Sequence, residues 1–121
     1  MADPNFVILY VDDPAASAAF YADLLGRPPV EASKTFAMFA LHAEVMLGLW
    51  SKYTVEPAAT MTGGGAELAI AVDGADAVSS LHAQWRAKGV TMIQAPVDLD
   101  FGHTFVALDP DGHRLRVFAP R

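Results

Sequence analysis

The chain has 121 residues, of which 53% are hydrophobic and 18% charged, and its net charge is −6. This length predicts one domain that buries roughly two-thirds of its unfolded surface, and the composition excludes a disordered chain. The sequence holds no cysteine, which excludes disulfides, thiolate metal sites and cysteine nucleophiles. It also has no basic run, so we expect no nucleic acid partner.

The sequence predicts a cytoplasmic protein. Residues 1–5 carry no basic segment ahead of an apolar run, as a secretory signal would require. No apolar stretch approaches the roughly 20 residues that a membrane-spanning helix needs. We therefore expect neither export nor a membrane partner.

The first half of the chain predicts one helix among four strands. Residues 6–11 form an apolar run rich in Val and Ile, which is typical of a buried strand. Asp13 and Pro14 supply a capping carboxylate and a proline at the first helical position, and Gly26 ends the helix. Three short strands are predicted to follow, near residues 30–32, 35–41 and 45–51.

The second half predicts the same order of elements. Residues 53–65 resemble a linker, with one proline and three consecutive glycines. A strand at 68–72 precedes a helix that starts at 73–76 and closes at Lys88-Gly89, with Trp85 in the core. Short strands are predicted near residues 91–93, 103–108 and 114–118.

The repeated order of elements predicts an α+β fold built from two βαβββ modules. We expect a single domain of residues 1–121, with module one at about 5–52, the linker at about 53–65 and module two at about 66–119. Paired four-stranded modules are expected to form a cup-shaped curved sheet with the helices outside, and such a cup is a natural ligand cavity.

Two segments resemble the vicinal oxygen chelate superfamily, also called the glyoxalase/bleomycin-resistance/dioxygenase family. One runs from Leu9 to Gly26 through Asp12-Asp13-Pro14, and the other from Phe105 to Arg116 around an Asp-Pro-Asp-Gly-His turn. The resemblance covers nearly the whole chain. It implies the fold and leaves the reaction open, because the superfamily includes isomerases, ring-cleaving dioxygenases, thiol transferases and proteins that sequester antibiotics.

The resemblance implies three metal-ligand positions, which fall here on Phe6, Glu67 and Arg116. A phenyl ring cannot bind a metal, and a guanidinium does not lose the proton that it would have to give up. We therefore expect no metal, no cofactor and no catalytic residue. Glu67 and Arg116 are expected instead to form a bidentate ion pair.

The aromatic residues resemble those of the antibiotic-binding branch, which includes binders of bleomycin, phenazine and quinoxaline antibiotics. In that branch a planar aromatic ligand is stacked between rings at the interface of two subunits. The resemblance implies a homodimer that stacks such a ligand between Trp50 and Phe101. The full expected ligand site is Trp50, Phe101, Tyr10, Phe6, Glu67 and Arg116.

Three functions remain open at this point. The first is non-catalytic sequestration of a planar aromatic antibiotic. The second is a glyoxalase- or dioxygenase-like lyase or isomerase, with a rearranged metal site or with Glu67 as a base. The third is an interaction module without small-molecule affinity. Trp50 also has a simpler reading, as an ordinary half-buried aromatic residue of a strand.

Overall fold

The computed structural model describes residues 2–121. The chain divides into two compact units, one ending at Gly63 and the other beginning at Gly64. Met1, with which the predicted domain begins, lies outside the described residues. The single-domain organisation stays a prediction, and each unit is described by itself.

The first unit contains one helix and a four-stranded mixed sheet. The sheet order is β1-β4-β3-β2, with β1 parallel to β4 and the other pairs antiparallel. A 3₁₀ turn at His42–Glu44 separates the third and fourth strands. The elements are β1 (Phe6–Val11), α1 (Pro14–Leu25), β2 (Glu31–Ala32), β3 (Phe36–Ala40) and β4 (Met46–Ser51).

Helix α1 begins and ends as the sequence predicts. The Asp13 carboxylate accepts hydrogen bonds from the backbone N–H groups of Ala15 and Ala16, at 3.0 and 3.4 Å. Gly26 takes the left-handed conformation, with φ of 68°, and donates its N–H to the Ala22 carbonyl. Both ends of the helix are therefore closed by local hydrogen bonds, which stabilise the predicted boundaries.

One face of the first sheet forms the core of this unit. Helix α1 packs on β3 and β4, and it buries Ser17, Ala18 and Tyr21. Alternate strand residues are buried on the same side: Val11, Ala37, Phe39, Leu47 and Leu49. We call the opposite side the helix-free face of the first sheet.

The second unit repeats this topology. The sheet order is β5-β8-β7-β6, with β5 parallel to β8. Trp85 of the helix is buried and makes an edge-to-face contact with Phe105 at 5.4 Å, which confirms its predicted core position. The elements are β5 (Glu67–Ala71), α2 (Ala75–Ala87), β6 (Thr91–Leu99), β7 (Gly102–Leu108) and β8 (Arg114–Pro120).

The predicted α+β class with two βαβββ modules is confirmed, and one strand differs in length. Strand β6 runs to Leu99, whereas the sequence predicts a strand near residues 91–93. Pro96 lies between Gln94 and Val97, where the register of the β6–β7 pair shifts. A proline is tolerated at such an irregularity because it removes no regular ladder hydrogen bond there.

The predicted turn between β7 and β8 depends on a buried carboxylate. Asp109 accepts hydrogen bonds from the backbone N–H groups of Asp111 and His113, both at 2.9 Å. Gly112 takes a positive φ of 83°. The turn aligns β7 and β8 so that Val106 lies opposite Arg116. Neither helix of residues 2–121 is long and apolar enough to cross a membrane.

Gly102 is a position at which the fold requires glycine. Its φ is 149°, and an added Cβ would lie 2.0 Å from the backbone carbonyl oxygen of Ala119. We expect Gly102→Ala to lower the free energy of unfolding by about 2–4 kcal/mol, since both the backbone conformation and the strand contact must change. For this size of domain the melting temperature should fall by roughly 10 °C, measured by circular dichroism.

Gly65→Ala is the matched control, because an added Cβ there has no atom within 4 Å. Its effect should stay within about 0.5 kcal/mol. Equal melting temperatures for the two variants would contradict the assigned close approach of β7 and β8.

Candidate functional site

The helix-free face of the first sheet is apolar and partly exposed. Phe6, Ile8 and Tyr10 lie on this face of β1, in register with Met46, Gly48 and Trp50 of β4. Phe6 is 47% exposed, and Tyr10 and Trp50 are direct neighbours across the parallel pair. The structure thus brings together three of the six predicted site residues.

Phe36 of β3 completes this aromatic surface. It lies opposite Trp50, and the two rings make an edge-to-face contact at 6.2 Å with an interplanar angle of 87°. The Phe36 ring also covers Gly48, where an added Cβ would lie 2.9 Å from its nearest ring carbon. Trp50 is therefore oriented by a neighbouring ring, and this geometry is favourable for aromatic pairs.

Helix α2 packs on one side of the second sheet, and we call the opposite side the helix-free face of that sheet. This face carries the predicted ion pair. Arg116 Nε donates to Glu67 Oε1 at 2.6 Å, and Arg116 Nη2 donates to Glu67 Oε2 at 3.3 Å. Arg116 lies opposite Ala69, whose small side chain leaves space for the guanidinium to reach back along β5 to Glu67. The predicted bidentate pairing is confirmed.

Thr104 of β7 holds the other end of the guanidinium. Its hydroxyl oxygen accepts a hydrogen bond from Arg116 Nη1 at 3.1 Å and donates its proton to the Val117 carbonyl at 2.9 Å. Thr104 is fully buried. Arg116 is therefore fixed from β5 and from β7, on both sides of its own strand.

Phe101, just before β7, packs beside the same guanidinium. The Arg116 guanidinium carbon lies 5.5 Å from the centre of the Phe101 ring, a cation–π distance. Phe101 also makes an edge-to-face contact with Phe118 at 5.8 Å. It is nevertheless 45% exposed, so much of the ring is open to contact.

Gln94 adds an unpaired acceptor to this face. Its side-chain Oε1 is buried and has no hydrogen-bond partner among residues 2–121. Gln94 lies opposite Val106, which lies opposite Arg116, so all three share one row across the sheet. A buried acceptor without a donor costs roughly 1–3 kcal/mol.

Sequence reasoning missed Phe36, Thr104 and Gln94. The place of each residue in the site depends on which residue it faces on the neighbouring strand, and the sequence gives only a weak signal of that pairing. Phe36 stands in a short apolar strand, and Thr104 follows His103 just before an apolar run. Once β7 is aligned with β8, Thr104 is two residues from the partner of Arg116.

The residues do not fit a metal at the position that Arg116 and Glu67 occupy. The guanidinium engages both oxygens of the carboxylate that would otherwise bind a cation. No group of three or more His, Asp or Glu side chains in residues 2–121 is arranged to hold a metal ion. Two histidines make other contacts: His103 Nδ1 lies 2.8 Å from Asp98 Oδ1, and His82 packs on Phe105.

A second polar cluster lies at the ends of β1 and β4. Tyr53 donates its hydroxyl proton to Asp12 Oδ1 at 2.5 Å, and Lys52 Nζ lies 3.5 Å from the same oxygen. Lys52 and Tyr53 also line a cleft of about 340 Å³ together with residues 59–62. The hydrogen bond from Tyr53, followed by the charge of Lys52, holds the pKa of Asp12 below its ordinary value.

The Glu67–Arg116 bridge should contribute to stability. We expect Arg116→Leu to lower the free energy of unfolding by about 1–3 kcal/mol, because it leaves the Glu67 carboxylate without its partner. The effect should be smaller than for a fully buried pair, since the Arg116 and Glu67 side chains remain 16% and 33% exposed. Urea denaturation would measure it.

Arg114→Leu is the matched control for that variant. Arg114 lies on the same strand and the same face, opposite Glu67, and is exposed; its side chain makes no hydrogen bond or ion pair with the described residues. Its replacement should change stability by less than about 0.5 kcal/mol. An Arg116→Leu protein as stable as the parent chain would contradict a structural role for the bridge.

The Asp12 pKa provides a test of the second cluster. A depressed folded pKa contributes stability above the unfolded pKa, and that stability is lost in acid as the pH falls through the folded pKa. Tyr53→Phe should raise the pKa of Asp12, measured by NMR titration of its carboxyl carbon. Lys52→Met should raise it less; a larger effect of Lys52→Met would contradict the assigned order of causes.

Comparison with known proteins places the chain in a family. Residues 4–117 match the Glyoxalase/Bleomycin resistance protein/Dioxygenase superfamily. The phenazine antibiotic resistance protein EhpR of Enterobacter agglomerans is 28% identical over 117 residues, which cover 94% of this chain and 89% of EhpR.

Two solved structures share the fold. An Agrobacterium tumefaciens protein solved in solution by NMR is 54% identical to this chain and superposes on it with a TM-score of 0.92. The match covers 100% of this chain and 99% of that protein. A glyoxalase-related enzyme from Fulvimarina pelagi is 23% identical, with a TM-score of 0.86 over 98% of this chain and 88% of its own, and shows the fold alone. The resemblance seen in the sequence is thus confirmed, and the chain belongs to the glyoxalase/bleomycin resistance protein/dioxygenase superfamily.

Proposed function

We propose that this protein binds and sequesters a planar aromatic antibiotic, or a similar small molecule, without transforming it. The observation that carries the proposal is the oriented Trp50 on the partly exposed apolar face of the first sheet. Similarity to a phenazine antibiotic resistance protein supports the same ligand class.

The first sheet supplies a surface suited to stacking. Trp50 is held edge-on by Phe36 and has Tyr10 as its neighbour on β1. A ring that is oriented before binding loses little conformational freedom when a ligand packs on it. Stacking of a planar ligand on such a ring is worth about 1–3 kcal/mol, by analogy with bases on aromatic side chains.

The second sheet supplies a ring beside a fixed charge. Phe101 is the second proposed stacking wall, and the guanidinium of Arg116 lies beside it. Phe6, Tyr10, Glu67 and Arg116 complete the proposed ligand site. The contact between Phe101 and Phe118 limits the positions that the exposed ring can take.

The Glu67 carboxylate is occupied, and this is the reason to propose binding without catalysis. A general base must be within hydrogen-bond reach of the proton that it removes. Both oxygens of Glu67 already accept hydrogen bonds from Arg116, so the carboxylate is a poor base and is held in place. The enzyme alternative in which Glu67 acts as a base would require this bridge to open during turnover.

We also propose that the binder acts as a homodimer in the cytoplasm. Strand β1 is an edge strand of its sheet, and its consecutive residues Phe6, Val7 and Ile8 are all exposed. An exposed apolar edge strand promotes pairing with another chain. A second copy of this chain would cover it.

Tryptophan fluorescence tests the proposed ligand class. We expect saturable quenching when the protein is titrated with at least one member of a panel of phenazine, quinoxaline and bleomycin compounds. Trp50→Leu should weaken the affinity by about tenfold or more, the equivalent of the stacking energy.

Trp85→Phe is the matched control, because Trp85 is buried against Phe105 on the helix side of its sheet. That variant should keep the affinity of the parent chain. No quenching by any compound, with stoichiometric Zn, Ni, Mn or Fe in the purified protein, would favour the enzyme alternative over sequestration.

A further inference from the structure

We infer that the ligand carries a hydrogen-bond-accepting oxygen at the edge of its ring system, as a ring carbonyl or a carboxylate, and that Arg116 binds this oxygen. The inference rests on the proposed function and specifies the ligand class of the same site. It follows from the number of donors and acceptors around one guanidinium.

Arg116 has two N–H groups that donate to no acceptor in the described part of the chain. A guanidinium carries five N–H donors. Two of them donate to Glu67 and one donates to Thr104. One N–H on each terminal nitrogen remains without an acceptor among residues 2–121, and the side chain keeps 16% of its surface exposed.

The neighbours of Arg116 leave a local excess of donors. The Thr104 proton is committed to the Val117 carbonyl, so the hydroxyl serves Arg116 as an acceptor. The Glu67 carboxylate pairs with the guanidinium but does not accept hydrogen bonds from its two remaining N–H groups. An incoming oxygen acceptor can therefore form charge-assisted hydrogen bonds, which are about twice as strong as neutral ones.

The direction of these N–H groups is set before a ligand arrives. Glu67 holds one side of the guanidinium, Thr104 holds Nη1, and the Phe101 ring lies beside the group. A site built with fixed donors discriminates strongly against a ligand without the matching acceptor, because its polar groups then stay unpaired. An amino group at the same ring position would oppose the N–H groups with its own donors.

Phe101 places the ligand ring close to this acceptor position. Its ring centre is 5.5 Å from the guanidinium carbon. A ligand ring in contact with the exposed part of Phe101 is therefore near enough for an edge substituent to approach Arg116. Because Phe101 and Arg116 are neighbours, one ligand can place its ring on Phe101 and its edge oxygen on Arg116.

A matched ligand series tests the inference: phenazine, phenazine-1-carboxylate, phenazine-1-carboxamide and 1-aminophenazine, titrated by tryptophan fluorescence. We expect the carboxylate or the carboxamide to bind at least about tenfold more tightly than phenazine, and 1-aminophenazine to show no such gain. The difference between the carboxylate and the carboxamide separates a charged from a neutral oxygen.

The variant E67Q/R116Q removes the guanidinium while it keeps the bridge position uncharged. Its preference for the oxygen-bearing ligands over phenazine should fall to within about threefold, while its far-UV circular dichroism spectrum stays that of the parent chain and reports that it is folded. R114Q removes a positive charge from the same strand and face, and it should keep the full advantage.

Each outcome has one meaning. Equal binding of all four compounds would overturn the inference and leave the proposed function standing. An equal loss in R114Q and E67Q/R116Q would also overturn it, because general charge attraction would then explain the preference. Binding of none of the four compounds, or of any other planar aromatic compound, would remove both proposals.

Discussion

The hydrogen-bonded chain from Glu67 through Arg116 to Thr104 is the interaction on which the second unit depends. It links β5, β8 and β7 through side chains on one face, in addition to their backbone ladders. It also pairs the negative charge of Glu67 with the positive charge of Arg116, so that neither charge depends on solvent or on free ions for a partner. Because both oxygens of the Glu67 carboxylate accept hydrogen bonds from Arg116, this carboxylate is not free to act as a base while the bridge is closed.

The two sheets use one register with different chemistry. The central strand pairs place Trp50 at the position of Phe118, and Gly48 at the position of Arg116. In the first sheet Phe36 reaches diagonally to cover the glycine, and in the second Thr104 reaches diagonally to bind the arginine. The two sheets therefore share the same diagonal contact between neighbouring strands. In the first sheet this contact is aromatic, and in the second it is polar.

The sequence predicts what is encoded locally or by a recognisable motif. The ends of α1 and the order of the elements follow from residues whose chemistry allows few alternatives, and the Glu67–Arg116 pairing follows from the positions that the family resemblance implies. The length of β6 was not predicted, because a proline within a strand is tolerated only where the pairing is irregular.

The missed site residues have a common physical cause. Phe36 and Thr104 act across the diagonal of a strand pair, and a shift of the register by one residue would move each to the other face. Register is set by turns such as the one at Asp109, whose buried carboxylate binds two backbone N–H groups. The sequence reveals the turn, but the partner of each side chain follows only when both strands are aligned.

Where the family resemblance implies a metal site, this chain has an ion pair, and the two differ in what they can do with a ligand. A bound metal with open positions polarises a substrate oxygen and lowers the pKa of bound water. A guanidinium offers directed N–H groups and a fixed charge, and it has no open coordination position. The ion pair is therefore consistent with the proposed function, in which a ligand is selected by its shape and acceptor pattern and is left unchanged.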